Sequence, residues 1–116
     1  MTASYASRML KKQQLPPGTV EATKDRQGRV VLISSEAMRH IARGHPELDG
    51  CELAIATAIE TAFARCRGRQ RNREVLYAPN LGPTAWLAVV VAYDGQRGHV
   101  VTAFGSKAGP KESDLI

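Results

Sequence analysis

Residues 39–47 read Arg39-His40-Ile41-Ala42-Arg43-Gly44-His45-Pro46-Glu47, two histidines five positions apart among arginines and just ahead of a proline. Imidazole changes charge near neutral pH, so either histidine can give or take a proton under physiological conditions. On a helix of about 100° per residue, Met38, Ile41 and Ala42 form an apolar stripe, with His45 close to it and His40 on the far side. The two rings therefore do not pair on one helical face. His45 is expected to point towards the core layer yet reach solvent, at a helix C-terminus that favours a cationic ring. The bland alternative is a histidine that merely fills a helix corner.

A second stretch, residues 65–73, holds Arg65, Arg67, Arg69, Arg71 and Arg73 at alternate positions and no acid. The chain has 16 Lys+Arg against 11 Asp+Glu, so these five arginines account for the whole net charge of +5. Alternate positions of an extended segment share one side. Five cations so close suit a polyanion, nucleic acid first; otherwise they form a solvated loop. Arg73, nearest the following strand, is best placed to project into a groove, and Arg43 and Lys107 extend the basic set. In residues 99–104, alternation puts Val100, Thr102 and Phe104 on one face and His99 on the other. Thr102 is then the polar member of an apolar row, either a partner for His45 or an ordinary β-former. His99 reads as surface and Glu47 as a local partner. Three scattered histidines without HxH or HExxH spacing, and two cysteines outside any CxxC, give no expectation of a metal or other cofactor.

The elements that must position these residues follow from pattern. At 116 residues the chain is one domain, with no apolar run of about 18 residues to span a membrane. Nor does the N-terminus carry the apolar stretch of a signal peptide. Residues 1–18 read as a flexible arm ending in Pro16-Pro17-Gly18, residues 19–106 as the folded domain, and residues 107–116 as a loose tail. A hairpin fits residues 20–33. Ser34 or Ser35 caps a first helix, which Gly44, in a left-handed terminus, and Pro46 bring to an end. A second helix is expected from Asp49 or Gly50 to about Arg65, burying Leu53, Ala56, Ile59, Ala62 and Phe63. Residues 74–79, 86–93 and 99–104 then form an antiparallel meander. The class is α+β, a hairpin and two helices packed on one face of a sheet.

The string from His40 to Glu47 resembles the HIxxxHPE signature of small phage and toxin nucleases. Their superfamily groups barnase, EndoU, the tRNA-cutting colicins and RelE (the BECR fold). The similarity runs over about residues 30–106: a helix after the motif, a strand ending Leu76-Tyr77, a Val-rich strand, and the terminal Val100-Val101-Thr102-Ala103-Phe104. The resemblance implies a helical layer on an antiparallel sheet and metal-free RNA cleavage to a 2′,3′-cyclic phosphate. His40 and His45 match the motif histidines, Arg73 a basic residue before the second strand, and Thr102 a terminal-strand hydroxyl. Arg43, Arg65, Arg67, Arg69, Arg71 and Lys107 would hold the RNA, tRNA being one option. The implied protein partner is an acidic immunity or antitoxin protein over the arginine segment. The implied site of action is the cytoplasm, reached from within or after delivery as a secreted toxin. Two rivals remain: a non-catalytic nucleic-acid-binding module and a domain that binds an acidic protein.

Overall fold

The structure is a computed structural model that describes residues 15–116, so most of the expected N-terminal arm lies outside the described residues. The chain runs β1 (Thr19–Lys24), β2 (Val30–Ser34), α1 (Ser35–Gly44), a 3₁₀ turn (Pro46–Leu48) and α2 (Glu52–Glu60). It continues with β3 (Ala64–Arg67), β4 (Arg73–Pro79), β5 (Trp86–Asp94), β6 (Arg97–Ser106) and a second 3₁₀ turn (Glu112–Asp114). The fold is α+β, with one six-stranded sheet in the order β1-β2-β6-β5-β4-β3. All neighbours are antiparallel except β2 and β6, which run parallel over Val30–Leu32 and residues 97–99. The expected meander is thus β4-β5-β6, extended by β3 on one side and by the N-terminal hairpin on the other.

The β1–β2 hairpin closes where Asp25 folds over its own turn. Its Oδ1 accepts the Gln27 and Arg29 backbone N–H groups at 2.9 Å, and Gly28 takes the left-handed conformation the turn requires. Helix α1 starts because the Ser34 hydroxyl accepts the Ala37 N–H at 3.0 Å. It stops differently from expectation. Gly44 is not left-handed; the chain leaves the helix at His45, whose φ of −139° and ψ of 76° lie outside the helical region that a following proline disfavours. Helix α2 is shorter than expected and is rotated, burying Ile55, Ala56, Ala58 and Ile59. Leu53 and Phe63, expected inside, are 57% and 69% exposed. Leu53 lies opposite Ile55 on the helical wheel, and Phe63 follows the end of the helix at Glu60, where helical spacing no longer applies.

Both helices bury their apolar residues against one sheet face, packing on Val31, Ile33, Leu76, Ala78, Leu87, Val89, Val91, Val100 and Ala103. The residues expected to form a loose tail instead return to the sheet. A Cβ on Gly109 would stand 2.9 Å from the Trp86 ring, Leu115 bridges Cys66, and the Ile116 N–H donates to the Arg65 carbonyl. The apolar pair Leu115-Ile116 ending a polar stretch is the feature that fits this return.

A polar cluster ties the N-terminal hairpin to the rest of the sheet. The Tyr93 hydroxyl donates to Asp25 Oδ2 at 2.7 Å, the Arg29 guanidinium lies 3.6 Å over the Tyr93 ring, and its two terminal nitrogens bond Glu74. Burial alone would raise the Asp25 carboxyl. The bonds from Tyr93 and from the Arg29 backbone and guanidinium outweigh it and hold the group below its ordinary value. A depressed carboxyl stabilises the fold above its unfolded pKa of ~3.9, and that contribution disappears as pH falls through the lower folded value. Asp25→Asn should therefore cost about 3 kcal/mol at neutral pH, with a deficit that shrinks in acid, where the wild type loses the same charge. Urea unfolding at neutral and acidic pH measures this; a deficit independent of pH would mean the carboxylate charge is not what stabilises the turn.

Candidate active site on the open sheet face

In a sheet, directly paired residues share a face. From the register, the face without helices carries Arg73, Val75 and Tyr77 of β4, and Trp86, Ala88, Val90 and Ala92 of β5. From β6 it carries Thr102 and Phe104 opposite Val90 and Ala88. The strand does not alternate strictly. Val90 pairs with Thr102 but Val91 pairs with Val100, so Val101 is an extra residue, a β-bulge. Two expectations are corrected by it. Val100 turns to the core face, buried among the helices, rather than sharing a row with Thr102. His99, opposite Ala92, lies on the same open face as Thr102 instead of the reverse one.

His45 reaches this face from the end of α1, which lies beside β6. Its ring is 6.2 Å from the Phe104 ring, tilted by 36°, and its Nδ1 is 3.7 Å from a Glu47 carboxylate oxygen. That separation is electrostatic proximity rather than a hydrogen bond. The ring is half-exposed, packed on one side and open on the other. No hydrogen bond joins His45 to Thr102 among the described residues, although Thr102 stands two positions from Phe104 on the same face. His40 is exposed on the outer side of α1, as the helical wheel predicts, and the structure does not bring it to His45.

The arginine segment is not one extended loop. Residues 64–67 are strand β3, and the chain turns back into β4 at Arg73, so the five side chains divide. Arg65 approaches Glu74, its guanidinium 3.5 Å from each carboxylate oxygen, while Arg67, Arg69 and Arg71 are exposed. Arg73 is half-buried on the open face. Its Nε is buried without a hydrogen-bond partner, and no carboxylate among the described residues pairs with it. The turn is tight at this point: the Gly68 N–H donates to the Arg73 carbonyl at 2.8 Å, and a Cβ on Gly68 would stand 2.8 Å from Arg73 Cβ. Glycine is what lets the turn close over this arginine. A cleft of about 330 Å³ lies here, lined by Gly68, Arg69, Gln70, Arg73, Val75, Val90 and Phe104. Arg73 and Phe104 thus line one cleft, and Phe104 in turn meets the His45 ring. Arg43 is exposed near the end of α1, and Lys107 is exposed just after β6.

This arrangement offers a half-covered imidazole, a hydroxyl and a guanidinium without an acid partner among the described residues, beside one apolar-floored cleft. Such groups can move a proton and offset negative charge on a bound phosphate. His99 is exposed, as expected, but its face was not legible, because nothing in Val100-Val101-Thr102 marks which valine is the extra one. No protein-family model matches the chain, and no curated protein or solved structure matches it.

The division of the arginines has a measurable consequence. Replacing Arg67, Arg69 and Arg71 together by Ala should flatten the dependence of single-stranded RNA affinity on salt by about two units of log–log slope, about 0.7 for each phosphate no longer neutralised. Arg65→Ala should change the slope less, because Glu74 already offsets that charge. Binding titrations over a salt series test both, and an unaltered slope in the triple variant would remove the hairpin tip from the interface.

Proposed function

We propose that this protein is a metal-independent endoribonuclease with a BECR-like arrangement, cleaving RNA by attack of the ribose 2′-oxygen on the adjacent phosphorus. The P–O5′ bond breaks, and the products are a 2′,3′-cyclic phosphate and a 5′-hydroxyl. The observation that carries the reading is Arg73, a half-buried guanidinium with an unpartnered Nε, in a cleft that shares Phe104 with His45. A buried donor without an acceptor costs about 1–3 kcal/mol, and a phosphate oxygen would supply that acceptor.

In this mechanism His45 makes one of the two proton transfers, from the 2′-hydroxyl or to the 5′-oxygen, and water makes the other, so that the proton lost at the 2′-oxygen is balanced by the one gained at the 5′-oxygen. Arg73, aided by Arg71 or Arg43, offsets the charge that builds on the phosphorane-like transition state. Thr102 bonds a phosphate oxygen. His40, on the outer side of α1, serves the substrate path rather than the chemistry. The exposed arginines of the hairpin hold the RNA backbone, tRNA among the options. The same basic surface suits an acidic immunity or antitoxin protein that would silence the domain, whether it acts in the cytoplasm where it is made or after delivery from another cell.

Incubation with total RNA in EDTA, followed by analysis of product ends, should give cyclic phosphates; intact RNA would leave a non-catalytic RNA-binding module as the reading. His45→Ala should slow single-turnover cleavage by roughly 10²–10⁴-fold with the fold intact, and His40→Ala should cost far less. Equal rates for His45→Ala and wild type would remove the histidine from the chemistry. A larger loss in His40→Ala would keep the nuclease and exchange the two histidines.

A further inference from the structure

The bulge at Val101 does more than reverse an expectation about His99. On the open face, Arg73, Ala92, His99 and Leu32 stand in one row across β4, β5, β6 and β2. Beyond Ala92, at the end of the sheet away from His45, a second cleft of about 230 Å³ opens, lined chiefly by Leu32, Asn72, Ala92, Asp94, Arg97 and His99. It is smaller than the roughly 300–1,000 Å³ of drug-sized ligand sites, a size for one ring system. Leu32 and Ala92 give it an apolar floor. An amide, a carboxylate, a guanidinium and an imidazole give it a rim with both donors and acceptors. A flat heterocycle with apolar faces and a polar edge matches that chemistry, and RNA bases are read in this way when they are unstacked.

We infer that this cleft is a base subsite, seating the base of a nucleotide near the scissile one in a single-stranded RNA. The inference rests on the ribonuclease reading and adds a specificity element to it. Distance separates the two sites. Ala88, opposite Phe104, and Ala92, opposite His99, are four residues apart on β5, about 13 Å. Side chains stand roughly perpendicular to the sheet, so His99 is too far to share a phosphodiester with His45, since proton transfer needs an approach within about 3 Å. His99 serves a neighbouring nucleotide instead. Arg73, opposite Ala92, stands in the row of His99 but also lines the cleft that reaches Phe104, so its long side chain borders both.

The backbone beneath the rim is held at two points. The Tyr93 N–H donates to the Asn72 carbonyl at 2.8 Å, fixing the hairpin against β5. A Cβ on Gly98 would stand 2.8 Å from the Tyr93 ring, so β6 is seated closely on it immediately before His99. A backbone so held loses little freedom on binding.

The test uses the whole protein and single-stranded oligonucleotides carrying a 2′-deoxy sugar at each position, so that cleavage cannot occur. Affinities are measured for a dinucleotide and for homopolymeric tetranucleotides of each base. In the wild type a tetranucleotide should bind more tightly than the dinucleotide, with the gain depending on the base. His99→Ala and Asp94→Asn, both at exposed positions and checked by thermal melting, should each reduce that gain by about five- to a hundredfold, the range for removing one polar group that reads a base. A gain that survives undiminished in both variants, or a wild type that binds the two lengths equally, overturns the base subsite while leaving the nuclease reading standing. A wild type that binds no oligonucleotide and leaves RNA uncut overturns both.

Discussion

A β-strand has a side-chain period of two, so one inserted residue exchanges every side chain beyond it from one face to the other. In this protein the inserted residue is Val101, and the division of labour between the two faces of the sheet depends on it. Before the bulge, Val100 packs against the helices and His99 faces out; after it, Ala103 packs inward while Thr102 and Phe104 face out. Without the extra residue, a strand that kept Ala103 in the core would put Val100 on the open face and His99 in the core. The bulge lets one strand serve a continuous apolar core on one side and a row of polar groups on the other.

The same two-faced logic explains how a dense cluster of arginines is tolerated. β3, the turn and β4 form a hairpin in which Glu74 faces the helix side and Arg73, its neighbour, faces the open side. Glu74 meets Arg29 at 2.8 Å and Arg65 at 3.5 Å, so part of the repulsion is cancelled within the fold. The bidentate bond from Arg29 also joins the N-terminal hairpin to β4, strands that are not neighbours in the sheet. Arg29 in turn is held by Asp25 and Tyr93. Glu74 thus holds the structural arginines Arg29 and Arg65 and stands opposite Arg67 in the register, and no ion pair among the described residues engages Arg69, Arg71 or Arg73.

Much of this was legible in the sequence. The capping serine, the helix around Ile41, its end before Pro46, the hairpin at Asp25–Gly28 and the three C-terminal strands all follow from local patterns with a period or a breaker. So does the opposite orientation of His40 and His45, which needs only the helical angle. What was not legible is non-local. The length of α2 is set by where Ala64 begins to pair with Tyr77, so a run that reads as continuous helix to Arg65 ends at Glu60. The parallel pairing of β2 with β6 joins residues more than sixty positions apart, and no local signal announces it. The place of the bulge depends on which valine the core selects, a choice made by packing against the helices rather than by the residues themselves.

The two observations that define the candidate site are departures from ordinary local rules. A half-buried arginine whose Nε has no acceptor and which has no carboxylate partner among the described residues costs free energy that the fold must offset elsewhere. A bulge in a long strand interrupts its ladder. Both act on one sheet face: the bulge turns His99 to the row of Arg73, and keeps Thr102 and Phe104 on the face where Arg73 and Phe104 line one cleft. Sequences break such rules mainly where the geometry serves something other than stability. A cation, an imidazole and an aromatic ring thus stand together on the one face free of helices, where neither the helices nor the core constrains what they meet.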